Sequence, residues 1–199
     1  MLDTSAETAP DRRPGIILCV YETDDQTSGW LNDAVIAAWT LPGARLLLVG
    51  PDEPAVLARR ISDDLRMMEC RAVLLVGRTR RSDGFRVQMR AENPTVSGGT
   101  KLSSTGPAMA RATAPVSEMV RALNEAGLGA DATSESEDDA GSSLLYRILT
   151  GLPDDADAPA VALLRAPLSM EPDRLQRGVH VAAGAIARHL SPLPRERAI

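Results

Sequence analysis

Residues 46–77 read LLLVGPDEPAVLARRISDDLRMMECRAVLLVG, and this stretch decides the fold. Residues 46–49 form a continuous apolar run closed by Gly50 and Pro51, the pattern of a strand covered on both faces. Between 53 and 68, Val56, Leu57, Ile61, Leu65 and Met68 recur at helical spacing and line one side. Residues 72–76 are apolar again and stop at Gly77. Strand, helix, strand is the unit of a mostly parallel sheet with helices packed against it.

Working outward, residues 16–20 form another apolar strand, and residues 30–39 carry helical spacing ended by Pro42 and Gly43. Beyond Gly77, residues 78–115 are rich in Gly, Ser, Thr and Arg and read as irregular. Within them, 85–91 alternate enough for a short strand, and 93–106 suit a long surface loop or hairpin. Helices follow over 116–126, 141–149 and 173–190, with a weak strand over 130–133 and a buried one over 160–164. The whole predicts one α/β domain over 16–191, with a disordered tail at 1–15 and a second tail at 192–199. In such sheets ligands bind beyond the carboxyl ends of the strands.

The chain has 199 residues, 44% apolar and 25% charged, with a net charge of -5, which suits a globular domain and excludes wholesale disorder. No stretch approaches the ~18 apolar residues of a membrane span. The first 15 residues carry Asp3, Glu7, Asp11, Arg12 and Arg13 without an apolar segment, so a cytoplasmic address is expected. The acidic balance argues against nucleic-acid binding. Cys19 and Cys70 lack metal-ligand spacing and read as buried free thiols. Neither a cofactor nor a metal site is expected.

Several stretches resemble the pyroglutamyl peptidase I (pyrrolidone-carboxylate peptidase) family of cysteine peptidases. Residues 105–127, TGPAMARATAPVSEMVRALNEAG, are similar to its Gly-Pro-Ala, proline turn and amphipathic helix ending in Ala-Gly. Ala140-Gly141 resembles the Ala-Gly opening the nucleophile helix, and APLSMEPDRLQRGVHVAAGAI from Ala166 resembles the closing segment. IILCVYETD, from Ile16, looks like a worn form of the Gly-Phe-Glu-Pro-Phe turn. The resemblance implies a three-layer α/β/α sandwich with a mostly parallel twisted sheet, and removal of N-terminal pyroglutamate by a Cys-His-Glu triad. A helix N-terminus favours the thiolate, a His moves the proton, and a carboxylate orients the His.

None of those three residue types stands at the matching positions. The nucleophile, four residues after the Gly, falls on Leu145; the His, two before the Pro, on Arg165; the Glu, five before the Asn, on Gln88. Arginine is a permanent cation, not a base. At the implied substrate pocket, Tyr21 replaces the first Phe, Glu22 matches, and Asp24 replaces the second Phe. The loop after the third strand reads GRTRRSDG, with Arg80 and Arg81 where the family has small residues. A cationic mouth suits an anionic ligand or the acidic run 135–139.

The expected function is therefore a non-catalytic binding or assembly protein of this family. Its partner is a small molecule, a peptide or an anion, and it can form a homo-oligomer. The alternative is an active hydrolase or amidase. Ser142 and Ser143 at a helix start are its nucleophile candidates, but His180 and His189 lie nine residues apart and face opposite sides of a helix. Glu135, Glu137, Asp138 and Asp139 read as favourable charges before a helix rather than a metal loop. The arginines Arg78, Arg80, Arg81, Arg86 and Arg90 suit phosphate, and equally a solvated loop or a subunit contact; Arg80 and Arg81 alone leave a nucleoside-phosphorylase-like enzyme as a third class.

Overall fold

The computed structural model describes residues 11–21, 33–67, 70–93, 95–96, 100–101, 103–153 and 158–190. In chain order the elements are β1 (Gly15–Val20), α1 (Asp33–Ala38), β2 (Arg45–Val49), α2 (Pro54–Met67), β3 (Cys70–Thr79), β4 (Phe85–Gln88), β5 (Arg90–Glu92), β6 (Thr95–Val96), β7 (Thr100–Lys101), β8 (Met109–Arg111), α3 (Val116–Glu125), β9 (Ala130–Thr133), α4 (Ala140–Thr150), β10 (Ala160–Pro167) and α5 (Pro172–Leu190). Glu22, Asp24, residues 1–10 and residues 191–199 lie outside the described residues, as does the start of the helix expected at 30–39.

Six strands make one sheet in the order β2-β1-β3-β10-β4-β9. Every neighbouring pair is parallel except β10 with β4. Side chains alternate across a strand, and that alternation builds the layers. Ile16, Leu18, Leu74, Val76, Ala162 and Leu164 face α1, α3 and α5. Ile17, Cys19, Val73, Leu75, Val161 and Leu163 face α2 and α4. The result is a three-layer α/β/α sandwich with two apolar cores. No helix among the described residues is long and apolar enough to cross a membrane.

The structure departs from the sequence pattern in three places. β3 continues past Gly77 to Thr79, and β10 past Leu164 to Pro167, because the two strands pair along their full length as far as Pro167↔Thr79. The short strand expected over 85–91 is split into β4 and β5: Phe85 and Val87 enter the core while the backbone of β4 bridges β10 and β9. β5 and β8 form a separate antiparallel ribbon, and the buried Ala91 joins the α4 core. Asn93 clamps the base of the hairpin expected at 93–106: its Nδ2 donates to the Ser103 carbonyl at 2.8 Å and its Oδ1 accepts from the Ser103 amide at 3.3 Å. Gly15, expected in the tail, begins β1, and Arg45 N–H donates to the Pro14 carbonyl.

β2 and β3 lie on opposite sides of β1, so the chain reverses its direction of travel across the sheet at β1 and β3. The carboxyl ends of those two strands flank a topological switch point, the usual crevice of an open α/β sheet.

Candidate functional site

Alternation also places the polar residues. On the α4 side of the sheet, β1 leads into Tyr21, β3 ends with Gly77 and Thr79, β10 carries Arg165 after Val161 and Leu163, and β4 ends with Gln88. An apolar face thus turns polar where the strands run out toward the N-terminus of α4.

Arg165 is the centre. Its side chain is 1% exposed, yet it makes four hydrogen bonds. Nε donates to Gln88 Oε1 at 3.1 Å, and Nη1 and Nη2 grip the two carboxylate oxygens of Asp139. Nη2 also donates to Ser142 Oγ at 2.9 Å, and Glu137 stands 3.8 Å from Nε. A buried guanidinium is tolerable only when its charge is answered and its donors are used, and both conditions hold here. Gln88 completes the network: Nε2 donates to the Arg90 carbonyl at 2.8 Å and to Ser142 Oγ at 3.4 Å. Glu137 accepts from Thr79 Oγ1 at 2.7 Å, which ties the acidic run to the end of β3.

Asp139 has a second task. It is the N-cap of α4, and its Oδ1 accepts from the Ser142 amide at 2.8 Å. Burial pushes its pKa up, but the hydrogen bonds and charge of Arg165 and the bonds from Ser142 prevail and hold the carboxyl below its ordinary value. For Arg165, burial acts against the charged form, and Asp139 outweighs it.

The three positions matching the peptidase triad divide. Gln88 and Arg165 touch, whereas Leu145 is fully buried in the aliphatic core between the sheet and α2 and α4. The α4 residue that reaches Arg165 and Gln88 is Ser142, one turn earlier. Its neighbours are a guanidinium, an amide and a carboxylate held ionised, so no strong base adjoins it. His180 stands on the other side of the sheet, stacked edge-on against Trp39 with ring centroids 4.8 Å apart, and His189 is exposed. The role of Asp139 was missed in the sequence; its position just before Ala140-Gly141 carried the N-cap signal.

Tyr21 is 7% exposed and lies across the switch point. Its phenol oxygen is so close to Gly77 of β3 and Gly141 of α4 that a Cβ at either would collide with it. The crevice a ligand would enter between β1 and β3 is filled by the chain itself. The arginine loop mostly turns elsewhere: Arg78 Nη2 donates to the Leu168 carbonyl at 2.7 Å, and Arg86 pairs with Glu135 at 3.4 Å. Arg80 and Arg81 are exposed. Among the described residues, no group of three or more His, Cys, Asp and Glu is placed to hold a metal ion.

Known structures share this architecture. Pyroglutamyl peptidase I from Bacillus amyloliquefaciens superposes with a TM-score of 0.73 at 15% identity, covering 88% of this chain and 98% of its own. The chain has the pyroglutamyl peptidase fold. Pyrrolidone carboxyl peptidase from Thermus thermophilus matches with a TM-score of 0.64 at 18% identity, over 86% of this chain and 99% of that one. A mutant pyrrolidone carboxyl peptidase from the hyperthermophile Pyrococcus furiosus gives 0.69 at 14% identity, over 89% and 100%. No protein-family profile and no curated protein matches the sequence. On the pyroglutamyl peptidase fold, then, this chain carries a buried arginine cluster at the carboxyl ends of β3 and β10.

Proposed function

We propose that this chain is a pyroglutamyl peptidase I-like family member that has lost the peptidase triad and acts as a non-catalytic binding or assembly protein. One observation carries the reading: the residue at the matching base position is a buried arginine whose charge Asp139 already answers. A group in that state neither takes a proton near neutral pH nor turns toward a substrate. Leu145 at the nucleophile position has no reactive atom, and Gln88 has no charge with which to orient an imidazolium. Tyr21 supports the same reading, because it occupies the switch point.

Of the other residues implied at the substrate pocket, Arg80 and Arg81 are exposed and can meet an anionic ligand from solution. Both cysteines are unpaired and buried, which suits the reducing cytoplasm. Burial pushes the Cys19 thiol up to about 12, so it is no substitute nucleophile.

Incubation of the purified protein with a chromogenic pyroglutamyl amide tests the reading. The expected result is release no faster than in buffer, unchanged by a thiol alkylator. Turnover abolished by alkylation would restore the peptidase reading, and turnover lost in Ser142→Ala would establish a hydrolase using other residues.

A further inference from the structure

On the α2–α4 side of the molecule, away from the Arg165 cluster, the flanks of the two helices enclose an open groove of about 680 Å³. Its size lies within the usual range for small-molecule sites, roughly 300–1,000 Å³. α2 contributes Arg59, Ser62, Asp63 and Arg66, which fall on one stripe because they are spaced three, four and seven residues apart. α4 contributes Arg147 from the opposite wall, and Ser103 closes one end.

The groove is a concentration of positive charge in an acidic protein. Three guanidiniums line it against one carboxylate, and that carboxylate, Asp63, is engaged with Arg66 at 3.5 Å. Arg147 makes no ion pair among the described residues, and the one side-chain bond of Arg59 is a long 3.4 Å contact to the Ala55 carbonyl of its own helix. Arg59 and Arg147 therefore face the groove with unanswered charge. The hydroxyls of Ser62 and Ser103 make no hydrogen bond to a described residue and add neutral donors to its lining.

We infer that this groove binds a small molecule bearing a phosphate or diphosphate group. A carboxylate offers two oxygens in one plane and can satisfy one guanidinium fork. Arginines on two walls, with hydroxyls between them, call for an anion with oxygens pointing in several directions, which a phosphoryl group supplies. Ala55 and Ala58 in the lining leave room for an organic part beside the phosphoryl group. Asp63 repels an anion at the Arg66 end and directs it toward Arg59 and Arg147.

Inorganic pyrophosphate is the probe. Titrated at constant ionic strength and followed by amide chemical shifts, it should saturate and perturb residues 55–66 and 146–150. Arg59→Ala with Arg147→Ala should weaken it about tenfold or more. Asp63→Asn should tighten it, since the repelling charge is gone. Arg111→Ala, at an exposed arginine of β8 outside the groove, should leave it unchanged, which separates this site from general attraction of an anion to surface arginines. Non-saturating shifts, or an affinity indifferent to the Arg59 and Arg147 changes, would overturn the inference. Because Asp63→Asn predicts a gain, misfolding of the arginine variant would not shelter the idea.

Discussion

Two sets of arginines stand near the carboxyl end of the sheet, and they live by different rules. Arg165 is buried on β10, gripped by Asp139 and bonded to Gln88 and Ser142. Arg80 and Arg81, only a few residues beyond the adjoining strand, are exposed. The first is a structural ion whose removal leaves charge stranded in a low-dielectric interior. The second pair is solvated, and its charge is available to a ligand. Equal residue types thus carry opposite consequences, and mutation should separate them sharply.

The largest effect belongs to the buried set. Asp139→Ala takes from Arg165 its bidentate counter-ion, leaving Glu137 at 3.8 Å, and also strips α4 of its N-cap. Breaking a buried pair from one side costs about 3–5 kcal/mol, and losing a cap about 1 kcal/mol more, though the two overlap in one residue. Urea unfolding should show a lowered midpoint, or no folded baseline at all. Replacing both partners, Asp139→Asn with Arg165→Met, should recover much of the loss, because the buried guanidinium is gone and Glu137 keeps its bond from Thr79. If the double replacement is no better than Asp139→Ala, the stranded charge is not what matters.

Next in size is the Tyr21 plug. Gly77→Ala puts a methyl group into the phenol ring and should destabilise by about 1–3 kcal/mol. Adding Tyr21→Ala should relieve that clash, so the cost of the methyl shrinks in the Tyr21→Ala background. Additive costs in a double-mutant cycle would mean that Tyr21 does not fill the switch point.

How much of this was legible in the sequence follows from the range of the interactions. The apolar runs of β1, β3 and β10 and the helical spacing along α2 and α3 were legible because they are written in consecutive residues, and a run apolar at every position marks a strand covered on both faces. The extent of β3 was not legible, because Gly77 looks like a terminus and only pairing with β10, some ninety residues away, carries the strand on to Thr79. A short strand over 85–91 was legible from its alternation, but its place between β10 and β9 was not, because only those distant partners seat β4 in the sheet. At the site, the resemblance singled out Gln88 and Arg165, which do touch, but Leu145 points into the core. The N-cap role of Asp139 is local, but its pairing with Arg165, and the part Ser142 plays beside it, come from a guanidinium that arrives from β10, and no local pattern announces it.

Acid should act on the buried set in a defined direction. The Asp139 carboxyl is held below its ordinary value in the fold and returns to about 3.9 when the chain unfolds. Its contribution is complete above roughly pH 4 and is lost as pH falls through the lower, folded-state value. Asp11 shows the same direction, lowered to about 2 by its hydrogen bonds to Arg13, but that pair is exposed. Added salt should therefore remove the Asp11 share and spare that of Asp139. A stability-against-pH curve for Asp139→Asn should be flatter below pH 4 than that of the parent at high salt; superimposable slopes would place the acid sensitivity elsewhere.

The smallest effect on stability should come from the exposed pair. Arg80→Ala and Arg81→Ala remove charges from solvated side chains, and such changes usually stay within about 0.5 kcal/mol. Their value lies in what else they change. If the loop after β3 meets an anionic ligand, the double variant should lose a salt-dependent affinity for a model polyanion such as heparin while its urea midpoint stays put. A shift of the midpoint as large as that of the buried set would mean that Arg80 and Arg81 hold the fold. A binding curve indistinguishable from the parent would remove them from the ligand site. The first outcome would erase the contrast between the two sets, because a buried arginine and a solvated one would then be serving the same end; the second would keep the structural contrast and strip the solvated pair of its ligand.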